Sequence, residues 1–231
     1  MNSVVNRADS AVDVVYADSA LVVVNKPAGL LCVPGRGPDK QDCLWRRVTA
    51  QFAGALVVHR LDMATSGLCL FARSTAAQTA LSKAFAARQV HKRYEAVVAG
   101  QPVVGQPAIH APDGDGWQLI DLPLIADWPN RPLQKVDLET GKPSLTRWRV
   151  SHQAGPVWFD ATRLELAPLT GRSHQLRVHL LALGHPILGD ALYAPPSVQQ
   201  RAPRLLLHAS ELGFVHPETG QGLLVNCAVP F

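Results

Sequence analysis

Long apolar segments are missing from this sequence of 231 residues. No run approaches the roughly 20 consecutive apolar residues that a bilayer-spanning helix needs, so we do not expect the chain to insert into a membrane. The N-terminal residues also show no basic stretch followed by an apolar one, and an export signal is therefore not predicted. We expect a cytoplasmic protein.

Cysteine is scarce, and no two cysteines form a CxxC pair. This absence excludes the paired-thiol motifs of zinc and redox sites. Cys69 falls within an apolar run, where a buried and reduced thiol is typical. A reducing compartment such as the cytosol agrees with that prediction.

Motifs for metals and common cofactors are also lacking. The nine histidines include no His-Glu-x-x-His pair, and His174 and His179 would point apart on a helix. Asp113-Gly114-Asp115 hints at calcium but lacks the further acidic ligands of an EF-hand loop. Since P-loops, dinucleotide fingerprints and Gly-x-Ser-x-Gly elbows are absent too, we expect chemistry without a metal.

The composition favours a folded chain with an anionic partner. Hydrophobic residues make up 47% and charged residues 17%, which predicts one domain over residues 12–231 after a loose leader at 1–11. The net charge is +4 and the pI is about 9.0. This surplus favours an anionic partner, although many basic proteins bind no nucleic acid.

Short β-type runs and helical patterns follow one another along the chain. Strands are expected at 12–16, 21–24, 89–100, 119–125, 145–150, 158–166, 205–208, 211–215 and 223–229. Helices are expected to begin at Asp42, at Ser74 or Thr75, and at Ser173, each with a polar N-cap. Proline and glycine make 101–118 a loop.

The stretch 55–71 is the strongest candidate for a site. An apolar run ends in a polar cluster with Arg60 and Asp62, turns at Thr65-Ser66-Gly67 and becomes apolar again. This pattern predicts a strand, a loop and a strand, and such a loop presents a carboxylate from a rigid base. The alternative is that Asp62 only caps a turn. By elimination, Asp62 is the best nucleophile and Arg177 a candidate charge partner.

Tyr94 and Arg177 lie on other predicted elements. Tyr94 alternates with Glu95 on a strand, so a core tyrosine is the structural alternative to a functional one. Arg177 falls near the start of a helix, where the dipole disfavours a cation by a few tenths to about 1 kcal/mol. Either an anionic partner compensates or Arg177 extends into solvent.

Several cations lie in loops or at strand ends. The segment at 34–38 is a basic loop with glycine, for which a surface turn is favoured over an approach to a phosphate. The segment at 128–132, with Lys135 and Lys142, combines cations with tryptophan, a mixture that binds single-stranded nucleic acid but that a solvated loop also shows. Contacts with an RNA backbone and an inert surface role are equally open alternatives. The residues concerned are Lys26, Arg36, Arg131, Lys135 and Lys142.

Three ordered motifs together resemble the RluA family of pseudouridine synthases. They are His59-Arg60-Leu61-Asp62 with Thr65-Ser66-Gly67, Lys92-Arg93-Tyr94, and Gly171-Arg172-Ser173-His174-Gln175-Leu176-Arg177-Val178-His179. The resemblance extends from about residue 21 to residue 209. It implies an α+β pseudouridine synthase fold, with a mixed, mainly antiparallel sheet flanked by helices and a central catalytic cleft. It implies no metal or organic cofactor, and no N-terminal S4 domain is expected.

The resemblance further implies that uridines in RNA are isomerised to pseudouridine by a monomeric enzyme. Asp62 would be the nucleophile, Arg177 would keep its carboxylate ionised, Tyr94 would stack on the uracil, and Arg60 would fill the space that the base vacates. Segments 121–132 and 139–143 are similar to those of members that modify 23S rRNA and tRNA anticodon stem-loops. The loop at 101–118 departs from the pattern by its length.

Two other functions remain as alternatives. A glycoside or nucleoside hydrolase could use Asp62, but no second carboxylate is paired with it in a motif. A non-catalytic RNA-binding or ribosome-assembly module would keep the basic loops but would not need the nucleophile.

Overall fold

A computed structural model of the chain describes residues 12–102, 109–110, 116–151, 156 and 158–231. The predicted leader and most of the 101–118 loop lie outside these residues. The chain divides into two compact units, one formed by 1–90 with 212–227 and the other by 91–211 with 228–231. Over the described residues, no helix combines the length and the apolar character that crossing a membrane requires. The single domain expected over 12–231 stays a prediction.

The first unit is built on antiparallel strands rich in valine and leucine. Its elements are β1 (Asp13–Ala17), β2 (Leu21–Lys26), α1 (Leu44–Gln51), β3 (Leu56–Val57), β4 (Ser66–Ala72), α2 (Thr75–Ala86) and β13 (Gly222–Asn226). β2 pairs with β1 and with β4, and β3 also pairs with β4. All seven residues of β4 are buried, which explains why its sequence is apolar without alternation.

Helix α2 covers the core of the first unit. Ala77 and Leu81 are buried against Leu70 and other apolar side chains of the strands, and Phe85 packs beside them. The Ser74 hydroxyl accepts a hydrogen bond of 3.1 Å from the Ala77 N–H. The N-cap expected at Ser74 or Thr75 is therefore confirmed at Ser74.

The second unit contains a longer antiparallel sheet. Its elements are β5 (His91–Ala99), β6 (Ile109–His110), β7 (Gln118–Asp121), β8 (Leu124–Ala126), β9 (Gln134–Val136), β10 (Leu145–Val150), β11 (Ala161–Pro168), α3 (Gln175–Ala182) and α4 (Pro196–Gln199). The strand order is β5-β11-β10-β7-β6, and β8 and β9 form a separate hairpin. β12 (Leu207–Val215) supplies residues to both units and pairs with β13.

The register of the second sheet places α3 on the face that carries Tyr94. Tyr94 is opposite Leu166, and Leu166 is opposite Trp148, so the three side chains share one face. Thr146, two residues before Trp148, is on that face too and contacts His179 of α3 at 2.9 Å. The helix with Arg177 therefore lies over the Tyr94 side of the sheet.

Two predicted helix caps were wrong. The first helix has Cys43 at its N-cap, because the Asp42 carboxylate instead accepts hydrogen bonds of 2.9 and 2.6 Å from the Arg47 guanidinium. The third helix has His174 rather than Ser173 at its N-cap, with a left-handed φ of 53°. The amide oxygen of Gln175 closes the preceding turn by accepting the Arg172 N–H at 3.0 Å.

Two strand predictions also needed correction. The strand expected at 119–125 is divided into β7 and β8, because Pro123 lies between them and has no N–H to donate. The runs expected at 205–208 and 211–215 join as the single strand β12. The alternation of elements otherwise agrees with the predicted α+β class.

Candidate active site

The loop between β3 and β4 carries Asp62 and has the predicted strand, loop and strand arrangement. Asp62 is half-buried, while Arg60 and Met63 are exposed. The Thr65 N–H donates to the Asp62 carbonyl at 3.1 Å, which tightens the turn into β4. Asp62 therefore lies in a loop that is anchored at its C-terminal end by the fully buried strand β4.

Lys26 stabilises this loop through hydrogen bonds to its backbone. Its side chain has no exposed surface, and its ammonium donates to the carbonyls of Pro27, Leu30 and Met63 at 2.8, 2.7 and 2.9 Å. The Gly29 N–H donates to the same Met63 carbonyl at 2.8 Å. An ammonium has three protons, and here all three are directed at carbonyls. The expected contact between Lys26 and an RNA backbone was therefore wrong.

Cys32 holds the other side of the loop. The Leu61 N–H donates to its sulfur at 3.2 Å, and the sulfur of Cys69 lies 4.0 Å away. The hydrogen bond from Cys69, with the Leu61 N–H and the charges of Lys26 and Arg60, lowers the pKa of Cys32 against the opposing effect of burial. Both thiols are free and buried, as predicted for Cys69.

His59 fixes the start of the loop. Its Nε2 accepts the Leu70 N–H at 3.0 Å, and its ring stacks on Phe85 at 4.6 Å between ring centres. Sequence reasoning placed His59 in a motif but gave it no role. Lys26, Cys32 and His59 together hold the residues on both sides of Asp62.

Arg177 is the predicted site residue of the second unit that carries a charge and is buried. Only 3% of its side chain is exposed, and it forms two hydrogen bonds with Asp190, from Nε to Oδ2 at 2.8 Å and from Nη2 to Oδ1 at 2.5 Å. Asp190 is buried as well, so this is an enclosed, bidentate ion pair. The anionic partner expected for Arg177 is present. Its predicted pairing with Asp62 joins residues of the two units and stays a prediction.

Asp190 was missed by the sequence analysis. The residue before it, Gly189, has a φ of +74°, and a Cβ there would come within 1.8 Å of the Arg204 carbonyl, so only glycine fits. Oδ1 of Asp190 also accepts the N–H groups of Leu192 and Tyr193 at 3.0 and 3.2 Å. A Gly-Asp pair soon after a helix with an inward cation was the signal that could have identified it.

Tyr193 was missed too. The Arg177 guanidinium lies 4.9 Å from the centre of its ring, a cation–π distance. The Tyr193 hydroxyl lies 2.6 Å from Nδ1 of His174 and accepts the Gln134 N–H at 2.9 Å. Tyr193 therefore connects Arg177 with the β8–β9 hairpin.

Buried polar side chains anchor α3 on the sheet. The Gln175 amide accepts from the Thr170 hydroxyl at 2.7 Å and donates to the Leu145 carbonyl at 2.9 Å. His179 places Nδ1 and Nε2 at 2.9 Å from the Thr146 hydroxyl and the Leu122 carbonyl. Burial lowers the pKa of His179 to about 4, so its ring stays neutral near pH 7. These contacts fix the helix that carries Arg177.

Tyr94 is half-buried on β5 rather than enclosed in the core. Arg36 is exposed in the first unit, and the remaining predicted cations are exposed in the second unit. Arg131, Lys135 and Lys142 come together around the β8–β9 hairpin, where Leu124 forms a β-bridge with Lys142. In the part of the chain that the structure describes, no group of three or more His, Cys, Asp or Glu side chains could hold a metal ion.

Solved structures share this fold. The protein is similar to human RNA Pseudouridylate Synthase Domain Containing 1, with a TM-score of 0.74 and 30% identity over 96% of this chain and 85% of the human one. Human RNA Pseudouridylate Synthase Domain Containing 4 has a TM-score of 0.69 at 24% identity, covering 94% of this chain and 88% of that one. The predicted pseudouridine synthase fold is thereby confirmed.

The sequence matches the RNA pseudouridylate synthase family over residues 20–182. The chain belongs to this family and is an isomerase that acts on RNA. Among its relatives, the Dual-specificity RNA pseudouridine synthase RluA of Yersinia pestis is 48% identical over 218 residues, which are 94% of this chain and 99% of that protein. The protein of the same name from Escherichia coli (strain K12) is also 48% identical, over 94% of this chain and 93% of its own. The protein of that name from Vibrio vulnificus is 47% identical, over 95% of this chain and 84% of its own.

Proposed function

We propose that the protein converts specific uridines to pseudouridine in 23S rRNA and in tRNA anticodon stem-loops. The observation that carries this proposal is its 48% identity, over 94% of the chain, to relatives named dual-specificity RNA pseudouridine synthases. The similarity of segments 121–132 and 139–143 to members acting on these two RNAs supports the choice of substrates.

In this proposal Asp62 is the nucleophile. The reaction breaks the bond between N1 of uracil and C1′ of the ribose, turns the base and joins C5 to C1′; the proton of C5 passes to water and N1 takes up a proton from water. A carboxylate that forms a temporary bond divides such an exchange into easier steps. Asp62 suits the role because Lys26 and Cys32 hold the backbone on either side of it.

Arg177 is the proposed electrostatic partner of Asp62. A bidentate contact with Asp190 fixes the direction of the guanidinium. The guanidinium is therefore oriented before substrate binds, as electrostatic catalysis requires.

Tyr94 and Arg60 are proposed to handle the displaced base. Chemistry on a base requires its removal from the stack, which costs a few kcal/mol. Tyr94, half-buried on a rigid strand, offers a ring against which the uracil stacks. Arg60 is exposed two residues before Asp62 and would occupy the vacated space.

Four exposed cations are proposed to contact the RNA backbone: Arg36, Arg131, Lys135 and Lys142. Such contacts position an RNA without reading its sequence. The proposal includes a monomeric enzyme that works in the cytoplasm without a metal or organic cofactor. The free, buried thiols support a reducing compartment.

Release of tritium from RNA labelled at uridine C5 tests the proposal. The protein is incubated with 23S rRNA fragments and with tRNA anticodon stem-loops, and the product nucleosides are separated. We expect tritium release with pseudouridine as the product, and no release with Asp62→Asn.

The same assay separates the alternatives. Free uracil among the products would indicate a hydrolase. Binding of both RNAs without tritium release would indicate a non-catalytic RNA-binding or ribosome-assembly module and would refute the enzyme proposal.

A further inference from the structure

Trp128 opens the short 3-10 helix Trp128–Asn130 in the loop between β8 and β9. Its side chain is 65% exposed, although tryptophan carries the largest apolar ring of any residue. The Arg131 guanidinium lies 4.4 Å from the centre of that ring. The loop thus displays an indole ring that is supported by a cation and open to solvent.

The backbone of this loop is closed by its own hydrogen bonds. The Asn130 N–H donates to the Asp127 carbonyl at 3.0 Å, and the Leu133 N–H donates to the Asn130 carbonyl at 3.0 Å. The Asp127 N–H donates to the Leu133 carbonyl at 2.9 Å, and the Asn130 amide donates to the Asp127 carboxylate at 2.9 Å. Trp128 is therefore presented from a fixed turn, which lowers the entropy lost when a ligand binds.

The loop is also held at a fixed place relative to Arg177. The N–H of Gln134, at the start of β9, donates to the Tyr193 hydroxyl, and the Tyr193 ring lies against Arg177. The four residues concerned, Trp128, Gln134, Tyr193 and Arg177, all belong to the second unit. A ligand on Trp128 would consequently lie at a defined distance from the proposed catalytic arginine.

The charges around the loop indicate the chemistry of the occupant. Lys135 and Lys142 are exposed cations of the same hairpin. The nearby carboxylates have partners within the protein, since Asp127 accepts from Asn130 and Asp137 accepts from Thr140. An aromatic platform with cations beside it suits a flat base linked to phosphates.

We propose that Trp128 and Arg131 form a stacking site for an unpaired RNA base other than the uridine that is isomerised. This inference rests on the proposed function and adds a second base-binding position to it. The base stacks on the exposed face of the indole, and the guanidinium supports the ring from its side. The site selects RNA loops in which a second base is free to leave the stack.

The first test measures the affinity for a tRNA anticodon stem-loop and for a 23S rRNA fragment by fluorescence anisotropy. All variants carry Asp62→Asn so that no turnover occurs. We expect Trp128→Leu to weaken binding roughly 5- to 100-fold, the loss that follows from one stacked base. Trp128→Phe should restore most of this loss, because it keeps an aromatic ring.

Phe159→Ala is the matched control, since Phe159 is an aromatic side chain of the same unit that is 92% exposed. Its affinity should equal that of the parent protein. Thermal melting shows whether each variant is folded. If Trp128→Leu unfolds, Arg131→Gln provides a second disruption of the site.

A second test identifies the stacked base. Abasic nucleotides are introduced one by one into the RNA loop, and each RNA is measured with the parent protein and with Trp128→Leu. At one position outside the target uridine, removal of the base should weaken binding to the parent protein but not weaken binding to Trp128→Leu any further.

The outcomes separate this inference from the proposed function. If the protein with Asp62 releases tritium but Trp128→Leu binds both RNAs as tightly as its parent, the stacking site is refuted and the enzyme proposal stands. If, at every abasic position, the loss of affinity adds to the loss caused by Trp128→Leu, the stacking site is refuted as well. If no tritium is released, the proposed function fails, whatever the anisotropy shows.

Discussion

Among the residues that the structure describes, the buried lysine and arginine side chains are Lys26 and Arg177, and both contact oxygen atoms. Lys26 donates to three backbone carbonyls, whereas Arg177 forms a bidentate pair with a single carboxylate. A buried charge is tolerated only when its protons are satisfied in this way. Each cation therefore depends on the oxygens that accept its protons. Removing either the cation or its acceptor should lower the free energy of unfolding.

Lys26→Met should destabilise the first unit. The methionine preserves the length of the side chain but leaves the carbonyls of Pro27, Leu30 and Met63 without their donor, at a cost of about 3 kcal/mol. Urea unfolding measures the change, with Lys83→Met as the exposed control. Equal free energies of unfolding for Lys26→Met and the control would show that Lys26 does not hold the loop.

Asp190→Asn should reduce both stability and turnover. The substitution preserves the shape of the side chain but removes the negative charge beside Arg177, and breaking a buried pair costs about 3–5 kcal/mol. The guanidinium would also lose its orientation, so we expect kcat for tritium release to fall more than KM rises. A variant with unchanged kcat would show that Asp190 has only a structural role.

At the scale of elements, α3 lies on the sheet through polar contacts as well as apolar ones. Gln175 and His179 are one turn apart and both contact Thr146, whereas Arg177 between them contacts Asp190; all three side chains are buried. The neutral ring of His179 lies between a hydroxyl and a carbonyl. The attachment of this helix should therefore depend on pH.

Acidification should weaken the fold through His179. Its pKa is lowered by burial to about 4, below the usual 6.5, so the unfolded chain takes up a proton before the folded chain does. The stabilisation is complete above pH 6.5 and is lost as the pH falls toward 4, at up to about 1.4 kcal/mol per pH unit. His208 acts in the same direction, because burial and the charge of Arg204 lower its pKa to about 4.

Urea unfolding between pH 6.5 and pH 5 measures this effect. His179→Gln should retain roughly half of the pH dependence, the part that belongs to His208. If His179→Gln and the parent protein show the same slope against pH, the proposed linkage is incorrect.

Element types were predictable from the sequence where a local signal decided them. Ser74 reveals its helix because its hydroxyl reaches the N–H three residues later, within one turn. Asp42 and Ser173 look equally good as caps, but tertiary partners decided otherwise: Arg47 binds Asp42, and Gln175 closes the turn before α3. For Asp190 the local signal was only the Gly189-Asp190 pair, and its contact with Arg177 depends on how a loop returns to a helix.

At the scale of the whole molecule, positive charge is modest in total and concentrated in places. The net charge of +4 by itself gives little long-range attraction for RNA. Arg131, Lys135 and Lys142 are nevertheless exposed around one hairpin. The salt dependence of RNA binding should therefore come from a few identifiable residues.

Lys135→Gln should make RNA binding less sensitive to salt. One phosphate contact fewer reduces the slope of log affinity against log salt concentration by about 0.7 to 0.9. Anisotropy titrations at several salt concentrations measure the slope, with Lys40→Gln as the exposed control. An unchanged slope would mean that Lys135 contacts no phosphate.

The division of β12 between the two units has a consequence for synthesis of the protein. Leu212, Phe214 and Val225 complete the core around Leu21 and Leu70, yet they are translated after residues 91–211 of the second unit. The second unit has nearly all of its residues available earlier, whereas the N-terminal segment with Asp62 must wait on the ribosome for its final strands. Although domains generally fold in the order of translation, the unit that carries Asp62 should complete its fold after the second unit.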